Sequence, residues 1–453
     1  MEDVANVSWR WRFPTHKLDV ASMMSTLLSF PCEVLLSILC HLDGLDEVIH
    51  LARCCRRFHD ILEHPGNRLL VFRAVIGHAT HHCIDVKLSQ ILPVRERLHL
   101  EYTTRNDELP LSSRPSYKES LYPHTGTDVT LADPEIWSIV CRWQGLRLLY
   151  DIYCDPSIRS LYNRSVRLNW PIHESYEEEY ALHRDEHCPE PSIGQNDVSR
   201  DASVRSSRIL GYRRFYQALT THWFAIEMLW LARVSVYETP QQRNKHFARV
   251  WRTWGHNSER TLQEKLDILE VYDFVWGFLG RKIFAEVPDI WSWLGEGEAR
   301  FYFASDLPEA VNWALFVRMV LQYLRPPDII KLSLSLVWNR STSWTIHRPT
   351  YLRTLGFFDE QAGVCRHSGS MERLDWCFSE AILERDVLDS VFSNVPSEGG
   401  DSIPSALWEY VWRVYRRICW DKDAKGTVLF REESGSQILE RMKDKVVPHL
   451  RRT

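Results

Sequence analysis

Between residues 26 and 76, apolar positions recur at steps of three and four, and each run ends at a turn signal, which predicts three short helices. Pro31 suits the first turn of a helix, where its missing N–H has no intrahelical partner to lose. Val34, Leu35, Ile38, Leu39 and Leu42 then form one stripe over two turns. Asp43-Gly44 breaks the chain, and Asp43 is expected to cap a second helix carrying Leu45, Val48, Ile49 and Leu51. A third helix carries Cys54, Cys55, Phe58, Ile61 and Leu62 and is expected to stop at Pro65-Gly66. Helices this short bury little surface alone, so the block needs a partner in the same chain or another.

Residues 1–25 read as a flexible lead-in, and residues 77–132, where the periodicity weakens, as a loop-rich connection. From 133 to 453 helix signals dominate. Asp133 is expected to cap a helix with Pro134 in its first turn, followed by Ile136, Val140, Trp143, Leu146 and Tyr150. The stretch 173–207 is polar, acidic at Glu177-Glu178-Glu179 and aperiodic, and reads as an exposed, disordered insertion. A helix beginning near Arg213 is apolar on most sides through Trp230 and should be central to a core. Thr261-Leu262-Gln263-Glu264 fits a capping box, and the helix it opens is expected to end at Gly280. Another is expected from near Asp306, with Ala310, Trp313, Val317, Val320, Leu321 and Leu324 as its stripe, halting at Pro326-Pro327. Two more are expected at about 371–392 and 405–420. Only residues 332–336 alternate like a strand, and the helix start at Asp328-Ile329-Ile330 favours helix there too. No period of 20–50 residues recurs, which argues against a leucine-rich horseshoe or a propeller. The fold expected is mainly α, a small three-helix module followed by a large irregular helical domain.

At 453 residues the chain exceeds what one hydrophobic core usually fills, consistent with that division. Its formal charge of −5 is small for this length and points neither to nucleic acid nor to a membrane surface. No run of 18 apolar residues occurs, so a spanning helix is not expected. The 11 cysteines are odd in number and scattered without a C-x-x-C pair, which suits a reducing compartment, cytosol or nucleus.

Candidate chemistry is thin. His78, His81, His82 and Cys83 lack paired ligand spacing and read as a solvated loop rather than a metal site. Cys55 and His59, four apart, read as a core cysteine beside a surface histidine. Gly295-Glu296-Gly297 lacks the third glycine of a phosphate loop, and neither H-E-x-x-H nor G-x-S-x-G occurs. Trp408 and Trp412 read as core. Arg413, Arg416 and Arg417 read as a solvated face rather than a phosphate clamp. Neither a cofactor nor a catalytic residue is expected.

The first block carries a more specific signal. Phe30-Pro31, Glu33, Ile38-Leu39, Leu45-Asp46 and Cys54-Cys55-Arg56-Arg57-Phe58 follow one another in the order and spacing of the F-box family, which this segment resembles; Phe30 stands where leucine is commoner. The resemblance covers about 40 of 453 residues. It implies a module that docks on a Skp-type adaptor and, through it, on a cullin-RING ubiquitin ligase, the chain itself being a non-catalytic subunit that brings in a protein substrate. The residues it implicates in adaptor binding are Leu28, Phe30, Pro31, Glu33, Val34, Leu35, Ile38, Leu39, Leu42, Leu45, Leu51, Cys54 and Phe58. The tryptophan-rich body is similar to that of uncharacterised fungal F-box proteins, a likeness that supplies no substrate. A non-ligase scaffold that uses the F-box only to hold the adaptor, and an enzyme of unrecognised fold, stay open as alternatives.

Overall fold

A computed structural model describes residues 29–104, 111–117, 131–168, 181, 202–255, 257, 259–284, 308–319 and 321–332. The chain divides into two compact units, Met1–Ala79 and Thr80–Thr453. Both are helical, and among the described residues no strand occurs, only an isolated bridge between Ser116 and Val236.

The first unit contains α1 (Cys32–Cys40), α2 (Leu45–Cys54), α3 (Arg56–Glu63) and α4 (Pro65–His78). Pro31 precedes α1, and Glu33 in the first turn favours the positive end of the helix. The cap of α2 is Gly44 in extended conformation with no side-chain bond, so Asp43 does not take the role expected of it. Asp46 and Glu47 in the first turn supply the favourable charge instead. A single extended residue, Cys55, separates α2 from α3. Pro65 opens a fourth helix rather than closing the module, because a proline at the first helical position loses no hydrogen bond. That helix packs against α1, and Val71, Phe72, Val75 and Ile76 join Leu35, Leu39, Leu45, Val48, Phe58, Ile61 and Leu62 in one buried core.

The second unit is built around one long helix. After a 3-10 turn, Thr80–His82, come α5 (Cys83–Thr104), α6 (Asp133–Cys154), α7 (Pro156–Leu168), α8 (Ala202–Val234) and α9 (Pro240–Trp254). The 22-residue α5 lies where a loop-rich connection was expected. Its apolar positions Leu88, Ile91 and Leu98 are buried, but buried Asp85 and Ser89 interrupt their pattern. Pro93, which reads as a helix breaker, sits on the exposed side. On α6 the expected stripe is buried, but the cap is Ala132, with Asp133 already inside the first turn. The Glu135 carboxylate accepts from the Ala132 N–H at 2.7 Å.

Helix α8 packs against α5, α6, α9 and the helix that follows, and from Tyr212 to Ala232 most of its side chains are buried. It begins at Ala202, eleven residues before the expected start, so residues 202–207 of the expected insertion are helical. Residues 173–180 and 182–201 lie outside the described residues.

Thr261 closes the predicted capping box on α10 (Leu262–Tyr272): its Oγ1 accepts from the Glu264 N–H at 3.3 Å, and the Glu264 carboxylate accepts from the Thr261 N–H at 2.8 Å. The rod continues through a π-helical stretch, Asp273–Leu279, into α11 (Gly280–Ile283), so Gly280 does not stop it. A Cβ at Gly280 would lie 3.0 Å from Leu321 Cδ2, so the glycine serves close packing rather than a turn. Last come α12 (Glu309–Met319), a 3-10 turn at Leu321–Tyr323 and α13 (Pro326–Leu332), which Pro326-Pro327 opens rather than prevents. The helix reading is met as far as Leu332. The expected elements at 333–336, 371–392 and 405–420 lie outside the described residues, as do Gly295-Glu296-Gly297, Trp408, Trp412, Arg413, Arg416 and Arg417. No described helix is long and apolar enough to cross a membrane.

Candidate protein-docking site

In the first unit the apolar stripe of α1 splits between two faces. Leu35 and Leu39 are fully buried, four residues apart, and anchor the helix to the module. Phe30 and Val34 are 40% and 41% exposed and Ile38 is half-buried, so positions 30, 34 and 38 make a second, outward row. Of the other residues implicated from the sequence, Pro31, Glu33 and Cys54 are exposed and Leu42 and Leu51 are half-buried. Leu45 and Phe58 are fully buried and hold the module's shape. Leu28 lies outside the described residues.

Side chains outside the apolar pattern hold this arrangement. Arg57 on α3 donates from Nη2 to the Phe30 carbonyl at 2.6 Å, fixing the segment that enters α1. His78 at the end of α4 places its ring nitrogens 2.6 Å from the Ala74 carbonyl and 2.9 Å from the Leu42 carbonyl, clipping α4 to the turn after α1. Leu70 on α4 is 47% exposed and adds apolar surface that the sequence reading missed; only its place just outside the three-helix pattern hid it. Cys55 is buried and His59 exposed, as read from the sequence. His59, Asp60 and Glu63 lie close enough together to share an ion, but all three are exposed, a common arrangement without any ion.

The second unit buries an unusual amount of charge. His81 and His82 are not in a solvated loop: both are buried against Trp143, because Asp85 one turn on supplies a polar partner inside the core. The fully buried Asp85 carboxylate contacts His82 Nδ1 at 2.6 Å and accepts from Arg142 at 2.5 Å and from Tyr216 at 2.8 Å. Burial opposes the Arg142 charge, but Asp85 and Tyr216 outweigh it and raise its pKa; burial also pushes the Tyr216 hydroxyl well above its ordinary value. A second fully buried carboxylate, Glu227, accepts from Trp223 at 2.7 Å and from Arg325 Nη2 at 2.9 Å, with Arg95 at 3.8 Å. Each acid gathers polar partners from separate elements, an arginine among them, which is how buried charge is held in a core.

A cleft on this unit is lined by Arg214, Gln217, Thr221, Arg260, Glu264 and Asp267. Its polar groups engage one another: Arg214 grips Asp267 at 2.8 and 2.5 Å, Gln263 donates to Asp267 at 2.9 Å, and Glu264 closes the cap of α10. Burial raises the Asp267 pKa against the pull of Arg214.

Comparison with known families places an F-box domain at residues 27–70, about a tenth of the chain. No curated protein and no solved structure matches the chain. F-box domains in general serve as the Skp-binding adaptor modules of SCF-type (Skp, cullin, F-box) ubiquitin ligases. With its two-faced first helix and its Arg57 and His78 ties, the N-terminal module of this chain is an F-box domain.

Proposed function

We propose that this protein is a substrate-recruiting subunit of an SCF-type ubiquitin ligase. It would hold a Skp-type adaptor through the outward row of the F-box and a protein substrate through the helical body. The observation that carries the reading is the exposure of Phe30, just before the first helix, and of Val34 on it, with Ile38 behind them, in a module whose remaining apolar side chains are largely internal. Apolar side chains held outward by a buried second row are what an obligate partner covers. The chain performs no chemistry of its own in this scheme. It raises the effective concentration of substrate lysines near activated ubiquitin, which a cullin-RING assembly delivers. Its place of action would be the cytosol or nucleus.

Affinity purification of the tagged chain under proteasome inhibition, followed by mass spectrometry, tests the proposal. A ligase subunit brings down the Skp-type adaptor, a cullin and at least one protein whose turnover slows when the chain is removed. Recovery of the adaptor without cullin would assign the chain to a non-ligase complex. Recovery of neither would end the adaptor reading.

A further inference from the structure

The buried residues of α1 are Leu35 and Leu39, which stand four apart on one line. A nine-residue helix seated on one line can roll about it, because successive positions lie about 100° apart around the axis. Phe30 is less constrained still. It stands two residues before Cys32, and Pro31 caps the helix with no side-chain bond and has no N–H of its own.

Two side chains from elsewhere in the module act at the ends of this helix. At its start the Val34 and Leu35 N–H groups both go to the Pro31 carbonyl, at 3.1 and 3.2 Å, which leaves the Phe30 carbonyl outside the helix. Arg57 on α3 donates to that carbonyl at 2.6 Å. At its end the His41 and Leu42 N–H groups close on Ile38 and Leu39, at 3.1 and 3.4 Å, and the Leu42 carbonyl lies beyond the last turn. His78 Nε2 on α4 meets it at 2.9 Å, while Nδ1, 2.6 Å from the Ala74 carbonyl, pins the ring to its own helix. Arg57 is half-buried and His78 exposed, so neither belongs to the apolar core. Among the described residues Arg57 forms no ion pair, and the Phe30 carbonyl is its engagement.

We propose that Arg57 and His78 are positioning residues for adaptor docking: together they clamp α1 at both ends, and Arg57 sets the direction of Phe30. The inference rests on the adaptor-docking reading of the outward row. It extends the working module to His78, past residue 70, where the family match ends. A side chain already held in its bound direction spares the complex the ordering cost of fixing it.

The test uses the full chain. Affinity is read by surface plasmon resonance on immobilised Skp-type adaptor, and amide exchange of the free chain by mass spectrometry. Arg57→Met keeps the aliphatic stem and removes the donors. It should weaken adaptor binding by about three- to tenfold, the factor expected for one side chain left to be ordered on binding. It should also speed exchange over residues 30–36 while peptides from α8 keep wild-type rates. Arg57→Lys keeps a single-point donor and should recover most of the affinity. His78→Leu should weaken binding and speed exchange over residues 38–44, and His78→Gln, which keeps a donor, should recover most of both. In a Phe30→Ala background, Arg57→Met should change affinity by less than about twofold, because a residue that acts through Phe30 has nothing left to aim. A merely structural role would lower affinity equally in both backgrounds, and that result would overturn the proposal. Wild-type affinity of Arg57→Met and His78→Leu would overturn it too. Unchanged exchange at both ends of α1 would overturn the clamp alone, whereas no binding by the wild type would overturn the docking reading and this inference with it.

Discussion

Val34→Asp should abolish adaptor capture while leaving the F-box folded. Val34 is the third residue of α1, so a carboxylate there meets the positive end of the helix and contributes about 0.3–1 kcal/mol to it. Its side chain keeps 41% of its surface exposed, so little internal packing is lost. Binding is a different matter. Covering the exposed part of a valine contributes roughly 0.6–1.2 kcal/mol, taking about 1.5–3 kcal/mol for full burial. Pressing a carboxylate into an apolar contact costs about 2–4 kcal/mol more unless it takes up a proton. At about 1.4 kcal/mol per tenfold, the sum of about 3–5 kcal/mol weakens binding by a hundredfold to a few thousandfold. Leu35→Ala, one residue on and fully buried, should do the reverse. It should destabilise the module by about 2–5 kcal/mol while the molecules that remain folded bind normally. Surface plasmon resonance against immobilised adaptor, with circular dichroism of each variant, separates the two outcomes. Wild-type affinity for Val34→Asp would show that the outward row is not the docking face.

Other outcomes follow from the body. Asp85→Asn should destabilise it by about 3–5 kcal/mol, because buried Arg142 loses its counter-charge; a loss below about 1 kcal/mol in urea unfolding followed by tryptophan fluorescence would contradict this. Burial lowers the His222 pKa to about 3, so between pH 6.5 and 3 the unfolded chain binds a proton that the native one does not. Stability should therefore fall as pH falls through that window, and His222→Gln should lessen the slope by about 1.4 kcal/mol per pH unit in unfolding curves taken from pH 6.5 to 4.5. Gly280→Ala should cost up to about 2 kcal/mol, overpacking against Leu321 of about 1–3 kcal/mol offset by the ~0.5–1 kcal/mol that alanine returns to a helical position. Gly145→Ala, with open space around it in mid-helix, should stabilise by about 0.5–1 kcal/mol, and differential scanning calorimetry should move the two variants in opposite directions.

What could be read from the sequence depended on whether the core was marked by apolar residues. The stripe of α6, the capping box at Thr261 and the order of α1 to α3 are all visible in spacing alone, because each is made of side chains whose burial follows their type. Helix α5 was lost because its inner face includes Asp85 and Ser89, and its partners Arg142 and Tyr216 lie far along the chain. Prolines misled in one direction: Pro65 and Pro326 were read as stops, though each opens a helix. At the docking site, the residue types were legible but their direction was not. A step of four can serve the core or the partner, and only packing of α4 on α1 assigns Leu35 and Leu39 inward and Phe30 and Val34 outward.

The buried carboxylates also set a schedule for the ribosome. Asp85 waits for Tyr216, 131 residues later, and Glu227 waits for Arg325, 98 residues later. At about 5–20 residues per second, the first of these delays is roughly 7–26 s. The F-box needs far less chain to complete its own ties, since Leu42 meets His78 only 36 residues on. During synthesis the F-box is therefore complete while the body still lacks the side chains that neutralise its interior. If the F-box acts as proposed, a nascent chain can hold its adaptor before its body has a neutralised core, and ribosomes stalled near residue 150 should already carry the adaptor.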